Sequence, residues 1–318
     1  MNMASPVKKI GLALGSGAVR GWAHMGVIQA MEELGVPIHL VAGTSMGSLV
    51  GAFHVTGKLE VLRNLSHELD WRQALYFFDV TLPKSGLIDG QKIKEFIDRS
   101  VGDIKIEELE SPFRAVATDL VTGREVVIDK GDIIEAVRAS ISVPGIFTPV
   151  RLGEMLLVDG GLVNPVPVSV ARAMGADIVI AVDLNHDIQE KRRHIRLTPN
   201  KDKNSAGHAA GQRNHRKNRI WQMLESRMEE LDLSLPEHFE RWTAQDNMPG
   251  ILDVMLKSLD ILEAQVAETR LKLDPPDVII RPMLGHLKLL EFGRAEEAIE
   301  AGYTEAMKAL RESGIAPH

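Results

Sequence analysis

The sequence predicts an α/β fold with a mostly parallel central sheet that is covered by helices on both faces. Two observations predict it: short apolar runs alternate with longer helical patterns, and a glycine-rich turn joins the first apolar run to the next helix. Parallel strands need long crossover connections, and helices of about 10 to 15 residues between strands provide them. A sheet of this kind is buried on both faces, so the protein forms three layers.

The elements follow one another in a regular order. Strands are predicted at 8–14, 38–43, 113–118, 124–129, 155–158 and 178–183, and helices at 23–34, 46–56, 87–100, 132–140 and 166–174. After a stretch of different composition come a long helix at 249–272, a strand at 277–281 and a closing helix at 293–312. We expect these last elements to return to the sheet, so that residues 8–318 form a single domain with an insertion at 186–248.

Composition narrows the classes of function. The net charge is −7 and the isoelectric point is near 5.9, whereas nucleic-acid-binding proteins usually carry a basic excess. No nucleic-acid partner is therefore expected. The chain has no cysteine, which removes disulfides, thiolate metal sites and a cysteine nucleophile. No other metal-ligand spacing is evident, so we expect neither a metal nor a cofactor.

The segment Gly43-Thr44-Ser45-Met46-Gly47 is the first candidate for chemistry. It matches Gly-x-Ser-x-Gly between an apolar strand and a helix, where a sharp turn exposes the serine hydroxyl. The glycines permit close backbone approach, and the N-terminus of the helix favours developing negative charge. We interpret Ser45 as a nucleophile; the alternative is a serine that merely caps the helix.

A second glycine-rich turn follows the first strand and contains Gly15, Ser16, Gly17, Arg20 and Gly21. A dinucleotide fingerprint would need glycine where Arg20 stands, and a phosphate-binding loop would need Gly-Lys-Ser/Thr at its end. An oxyanion hole needs only exposed backbone N–H groups on a flexible turn. The turn therefore favours an oxyanion hole, with a plain strand-to-helix connection as the alternative.

Two residues compete for the role of base. Asp159 follows an apolar strand and precedes two glycines, at an end of the sheet where catalytic groups of parallel sheets gather. A partly buried carboxylate there would accept the serine proton directly, although an Asp-Gly turn is also a common structural device. The order Ser45, Asp159, His286 would instead suit a histidine triad. Ser45 follows only the second predicted strand, which disfavours the fold of the triad enzymes.

Together these segments resemble the bacterial branch of the patatin-like phospholipase family. The resemblance runs from Lys8 to Leu184 and rests on the following blocks, in order: LGSGAVRGWAHMGV, GTSMGSLVGAF, ATDLVTG, SISVPGIFTPV and VDGGLVNPVPVSVARAMGADIVIAVDL. It implies a serine acyl hydrolase that cleaves esters of lipids or phospholipids. In such an enzyme Ser45 is the nucleophile and Asp159 the general base of a Ser–Asp dyad.

The resemblance also assigns the glycines. It implies an oxyanion hole from the backbone of Gly15, Ser16, Gly17, Arg20 and Gly21, and motif roles for Gly43, Gly47 and Gly160. Ser16 is a departure, because members of the family often have glycine at this position. A backbone donor survives that change.

The insertion at 186–248 has a strongly basic part at 191–219. One interpretation is a solvated insertion or lid; the other is a basic surface that contacts anionic phospholipid headgroups, at up to about 1 kcal/mol per charge. No run approaches the roughly 20 apolar residues that cross a bilayer, and no secretory signal is evident. We expect a cytoplasmic protein that meets lipid from the water side, with peripheral contact at the inner membrane surface.

Three other classes of function remain open at this point. A non-catalytic or regulatory member of the same fold would bind lipid or protein without turnover. An α/β-hydrolase with a histidine triad would use His286. A nucleotide-binding protein would use the glycine-rich turn, although Arg20 disfavours it.

Overall fold

The computed structural model describes residues 8–68, 91–187, 251–287 and 291–316. Its contacts divide the chain into two units, one of Met1–Lys191 with Leu256–His318 and one of Arg192–Met255. Nearly all of the second unit lies outside the described residues, and so do the predicted basic segment 191–219 and most of the predicted insertion at 186–248. Those two predictions stay predictions. None of the described helices is long and apolar enough to cross a membrane.

The described residues form eight strands in one sheet. These are β1 (Ile10–Leu14), β2 (Leu40–Thr44), β3 (Phe113–Asp119), β4 (Glu125–Ile128), β5 (Val150–Leu152), β6 (Met155–Asp159), β7 (Ile178–Val182) and β8 (Val278–Ile280). The hydrogen-bonded succession is β5-β6-β3-β2-β1-β7-β8, with β4 paired to β3. The pairs that join β3, β2, β1, β7 and β8 are all parallel.

Eight α-helices are described around this sheet. They are α1 (Ala23–Glu33), α2 (Met46–Val55), α3 (Leu59–Glu68), α4 (Gln91–Val101), α5 (Ile133–Ser140), α6 (Val168–Ala173), α7 (Ile251–Leu273) and α8 (Ala295–Ser313). Short 3-10 helices at Ala18–Trp22 and Gly160–Leu162 follow β1 and β6. The N-terminus of α5 is capped by Asp132, whose carboxylate accepts the N–H of Ile134.

The strands bury both faces. Side chains that alternate along β1 and β7 belong to two separate cores, with Leu12, Leu14, Ile180 and Val182 in the first and Ala13, Val179 and Ala181 in the second. Helices α1, α2, α5 and α8 pack in the first core, and α6 and α7 pack in the second. Alternation with a period of two sends successive side chains to opposite faces. This arrangement confirms the predicted α/β fold with helices on both faces.

The antiparallel part of the sheet was not fully predicted. β4 and β6 both run antiparallel to β3, and β5 forms a hairpin with β6 around Gly153, which has a φ of +60°. Three-residue β5 was not predicted because it is too short to show a pattern, and α3 was also missed. The inference that Asp159 ends a parallel strand is wrong, since β6 runs in the opposite direction to β2 and β3.

The direction of β6 nevertheless explains why its end reaches the end of β2. β2 and β4 both pair with Ala115 and Val116, so they lie on opposite edges of β3. β4 and β6 both pair with Ala117 and Thr118, so they too lie on opposite edges. β2 and β6 therefore share one edge of β3, and because they run in opposite directions, their C-terminal ends meet there.

Candidate active site

Ser45 occupies the turn between β2 and α2 in a strained conformation. Its φ is 56° and its ψ is −125°, a region that costs a non-glycine residue about 1–3 kcal/mol. The carbonyl oxygen of Ser45 accepts the N–H groups of Ser48 and Leu49 and the hydroxyl of Ser48. These bonds fix the turn, and the residue is only 5% exposed.

The glycines that flank Ser45 are required by close approach. A Cβ atom at Gly47 would lie 2.1 Å from the carbonyl oxygen of Leu14, and one at Gly43 would lie 2.5 Å from the Cα of Ser48. Both distances are shorter than any van der Waals contact, and the neighbours are backbone atoms that cannot move aside. The glycines of the motif therefore let α2 begin directly against β1 and place the serine beside the turn that follows β1.

Asp159 lies beside Ser45 because of the register of β3. Thr44 pairs with Val116 of β3, and Asp159 pairs with the next residue of β3, Ala117. Thr44 and Asp159 lie along the same edge of β3. The Ser45 hydroxyl donates a hydrogen bond to Oδ2 of Asp159 at 2.6 Å, a short distance that is typical of a hydroxyl bound to a carboxylate. The two residues that were predicted as a dyad are therefore hydrogen-bonded to each other.

The Asp159 carboxylate is held on its other side as well. Its Oδ1 accepts the N–H of Gly161 at 2.7 Å, and the Asp159 carbonyl accepts the Thr118 hydroxyl at 2.8 Å. The residue is 2% exposed. Burial, followed by the nearby charge of Glu263, raises the pKa of Asp159 to about 8, against the bonds from Ser45 and Gly161, which lower it. The carboxylate is therefore a much stronger base than an exposed aspartate.

Ser140, which the sequence analysis did not single out, links the turn to the sheet. Its hydroxyl accepts the N–H of Ser45 at 2.9 Å and donates to the carbonyl of Val116 at 2.6 Å. The residue lies at the end of α5 and is completely buried. Because the N–H of Ser45 is occupied in this way, this amide is not free to contact a substrate.

Replacing Ser140 with alanine is expected to destabilise the protein by about 1–3 kcal/mol, because the N–H of Ser45 and the carbonyl of Val116 lose their partner. It is also expected to lower kcat on the order of tenfold, since the strained turn is no longer fixed. Urea unfolding and ester hydrolysis measure the two effects. Ser66→Ala is the control, because it removes a buried hydroxyl that donates within α3; an equal loss of kcat in both variants would contradict a specific role of Ser140.

The glycine-rich turn lies beside Ser45, but not all of its amides are available. The N–H of Gly15 donates to Val182, that of Ser16 to Pro165 and that of Arg20 to Gly17, so the prediction that these three amides serve as oxyanion donors is not supported by these bonds. Within the described part of the chain, the N–H groups of Gly17 and Ala18 have no backbone acceptor. The structure therefore leaves these two as the candidates, and Ala18 has a left-handed φ of 46°.

The side chain of His24 contacts the backbone of the same turn. Its Nε2 lies 2.8 Å from the carbonyl oxygen of Gly15, and the side chain is fully buried. Burial lowers the pKa of His24 to about 4, although the bond to Gly15 acts in the opposite direction. The imidazole is therefore neutral near pH 7, and because a carbonyl can only accept, the proton lies on Nε2.

Helix α7 contributes two charged groups to this turn, Asp260 and Glu263, which the sequence analysis missed. Arg20, which is 2% exposed, donates from Nε to the carbonyl of Gly17 and from its terminal nitrogen to Asp260 at 2.7 Å. The Ser16 hydroxyl donates to Oε2 of Glu263, also at 2.7 Å. The turn is thus fastened to α7 at two points, one turn of the helix apart.

These residues surround a cleft that holds about 440 Å³ of empty space, part of which is open to solvent. Its lining consists of Gly17, Ala18, Arg20, Ser45, Val143, Ile146, Leu256, Leu259, Asp260 and Glu263. Its larger apolar residues are Val143, Ile146, Leu256 and Leu259, and its charged residues are Arg20, Asp260 and Glu263. This combination suits a ligand with an apolar chain and one polar, reactive group.

The histidine alternative finds no geometric support. His286 lies 2.6 Å from Oε1 of Glu297 on α8, with 43% of its side chain exposed, and it does not line the cleft. Among the residues that the structure describes, no histidine is hydrogen-bonded to Ser45 or Asp159. The remaining predicted glycines have packing roles: a Cβ atom at Gly21 would lie 2.3 Å from Met46, and one at Gly160 would lie 2.3 Å from the carbonyl of Val116.

Comparisons with known proteins identify the family of this chain. The family model of the patatin-like phospholipases matches residues 12–172 of the sequence. An uncharacterized NTE family protein of Mycobacterium tuberculosis is 32% identical over 95% of this chain and 91% of its own length. Lysophospholipase NTE1 of Pyricularia oryzae is 28% identical over 98% of this chain, and patatin-like phospholipase domain-containing protein 6 of Mus musculus is 36% identical over 55% of it.

The fold and the site define a class of α/β proteins with a serine on a strand-to-helix turn. The chain belongs to the patatin-like phospholipase family. It spans only 19% of the fungal relative and 13% of the mouse relative, both of which are much longer proteins. Membership of this family supports lipid hydrolysis as the general activity.

Proposed function

We propose that this protein is a serine acyl hydrolase that cleaves acyl esters of lipids through the dyad of Ser45 and Asp159. The observation that carries the proposal is the 2.6 Å hydrogen bond from the Ser45 hydroxyl to Oδ2 of Asp159 at the base of the cleft. A nucleophile needs an adjacent base that is itself held in place. Gly161 and Thr118 hold this base.

The reaction has two balanced halves. In the first, ionised Asp159 takes the proton of Ser45 while Oγ forms a bond to the ester carbonyl carbon, and the carbonyl oxygen becomes negative. The C–O bond then breaks, the leaving alcohol takes the proton from Asp159, and the acyl group remains on Ser45. In the second, water gives a proton to Asp159 and attacks the acyl-enzyme, the fatty acid leaves, and Ser45 recovers its proton.

The N–H groups of Gly17 and Ala18 are our candidates for the oxyanion hole. Both residues line the cleft with Ser45, and their amides are not used by the backbone of the described residues. Removal of one such donor costs on the order of 10²- to 10³-fold in kcat. Arg20 supports the hole by binding the Gly17 carbonyl, which orients the peptide unit between Gly17 and Ala18.

The substrate class follows from the lining of the cleft and from the relatives. Val143, Ile146, Leu256 and Leu259 offer an apolar wall to an acyl chain beside Ser45. A fungal relative is named a lysophospholipase, which supports a lipid ester as the substrate. The predicted peripheral contact with membranes and the predicted cytoplasmic location remain proposals, as does the absence of a cofactor.

Covalent labelling tests the proposal directly. A fluorophosphonate is expected to phosphonylate Ser45 with loss of fluoride, as mass spectrometry of the digested protein would show, and to stop hydrolysis of a p-nitrophenyl acyl ester. Ser45→Ala is expected to take up no label and to lose the hydrolysis, while Ser66→Ala, which removes a buried hydroxyl on α3, is expected to retain the label at Ser45. Absence of label on the folded wild-type protein would instead favour a lipid-binding or regulatory role.

A further inference from the structure

Glu263 is an acidic group beside the dyad that the mechanism above does not use. It lies on α7 and lines the same cleft as Ser45. Its carboxylate packs against Gly161, where an added Cβ atom would lie 2.7 Å from Oε1. Gly161 also donates its N–H to Asp159. One glycine residue therefore separates the two carboxylates.

The contacts of Glu263 join both halves of the site. Oε2 of Glu263 accepts the hydroxyl of Ser16, which lies in the glycine-rich turn, and the side-chain amide of Asn185 donates to the same Ser16 oxygen at 3.3 Å. Ser16 stands where the family often has glycine, and only a side chain at this position makes the bond to Glu263. The residue that departs from the family pattern is thus the one that fastens Glu263.

We propose that Glu263 is a positioning residue of the dyad, which holds the turn through Ser16 and whose negative charge strengthens Asp159 as a base. The inference rests on the proposed function. Burial raises the pKa of Glu263, as does the charge of Asp260, while the hydrogen bonds from Ser16 and Asn185 and the charge of Arg20 act in the opposite direction. When Glu263 is ionised, Asp159 loses its proton beside a negative charge.

The other charged groups around the pair do not cancel this effect. From the turn, Arg20 is engaged with Asp260 at 2.7 Å, and Lys257 on the same helix is 3.7 Å from Asp260. From α5, Arg138 donates to the Ser142 hydroxyl and to Thr148. Among the described residues, Glu263 is the only titratable group whose charge shifts the pKa of Asp159.

The sign of the pH dependence follows. Asp159 must be ionised to accept the proton, so kcat/KM and the rate of labelling rise as the pH rises through the pKa of Asp159, about 8. Removal of the Glu263 charge lowers that pKa. The rising limb of the profile is then expected to move to lower pH by about one unit, the size of effect that one close charge produces.

The decisive measurement is the rate constant of fluorophosphonate labelling of Ser45 from pH 5 to pH 10, in the full-length chain. Glu263→Gln removes only the charge, because it keeps an oxygen that accepts the Ser16 hydroxyl. Glu263→Ala removes the charge and does not introduce an amide group beside Gly161. Both are expected to shift the limb to lower pH. Glu268→Gln, which changes the net charge equally on the exposed face of α7, is expected to leave the limb at its wild-type position.

The outcomes separate this inference from the proposed function. A limb that stays in place in a folded Glu263→Gln or Glu263→Ala protein, with Ser45 still labelled, overturns the role of Glu263 and leaves the dyad intact. An equal shift in Glu268→Gln also overturns it, because the effect then follows net charge. A wild-type protein that takes up no label overturns the proposed function itself. A purely structural role of Glu263 would lower the rate at every pH without moving the limb.

Discussion

Asp159→Asn is expected to lower kcat for ester hydrolysis by about 10³- to 10⁴-fold, the upper part of the range for loss of a general base. The amide has nearly the same shape, and its oxygen still accepts the N–H of Gly161, so the fold is retained. It cannot take the proton of Ser45. Pre-steady-state and steady-state hydrolysis of a p-nitrophenyl ester measure the loss.

The double variant provides the control for a shared role. Ser45→Ala and Asp159→Asn remove the same step, so their combination is expected to be no slower than Ser45→Ala alone. Multiplied losses would mean that the two side chains act independently. Unchanged kcat in Asp159→Asn together with a loss in His286→Ala would move the protein to the histidine-triad class.

Stability gives a second, independent readout of Asp159. Its pKa is raised in the folded protein, from an ordinary value of 3.8 to about 8, so the unfolded chain loses this proton first. The contribution of the protonated form to stability is complete below about pH 4 and is lost as the pH rises to about 8. The asparagine side chain of the Asp159→Asn variant does not titrate, and the Tm of this variant relative to the wild type is therefore expected to rise across this range. A constant difference would contradict a buried, proton-holding carboxylate.

The order of elements could be predicted from the sequence because buried strands and amphipathic helices leave clear patterns. Predicted strands such as 38–43 and 178–183 differ from β2 and β7 by at most two residues at either end. The direction of β6 could not be predicted in this way. An apolar run of five residues has the same composition whichever way it pairs, and the direction of β6 appears only in its pairing with β3, where Asp159 lies opposite Ala117 and Leu157 opposite Asp119.

The candidate site also has one part that could be predicted from the sequence and one part that could not. Ser45 and the glycine-rich turn follow directly from local motifs, because the glycines that close approach requires, such as Gly43 and Gly47, are part of the motifs themselves. Asp260 and Glu263 come from a helix more than 200 residues away in sequence, as the separations of 240 and 247 residues in their bonds show. One local signal existed: both acids stand on the helix face that buries Leu256 and Ala264, where apolar residues are the rule.

Arg20 provides the second large effect, since it holds the turn to α7. Replacing it with methionine removes the side-chain donor to the Gly17 carbonyl, which keeps only the N–H of residue 20, and leaves Asp260 buried without its closest cation. Loss of one partner of a buried ion pair costs about 3–5 kcal/mol, and the lower end applies because Lys257 lies 3.7 Å from the same carboxylate. We also expect kcat to fall by up to about 10²-fold, the lower end of the cost of one oxyanion donor, because the peptide unit that carries the Ala18 N–H is held by one hydrogen bond fewer.

The two effects of Arg20 can be separated by a second substitution. Arg20→Met with Asp260→Leu replaces the buried pair by apolar groups, which is often neutral for stability, so urea unfolding is expected to recover most of the loss. Hydrolysis is not expected to recover, since the Gly17 carbonyl still lacks its side-chain donor. Arg20→Lys keeps the charge but not the planar fork of donors, and an intermediate kcat is expected for it. Wild-type kcat in the double variant would show that Arg20 acts only through the ion pair, and that the peptide unit between Gly17 and Ala18 needs no support from its side chain.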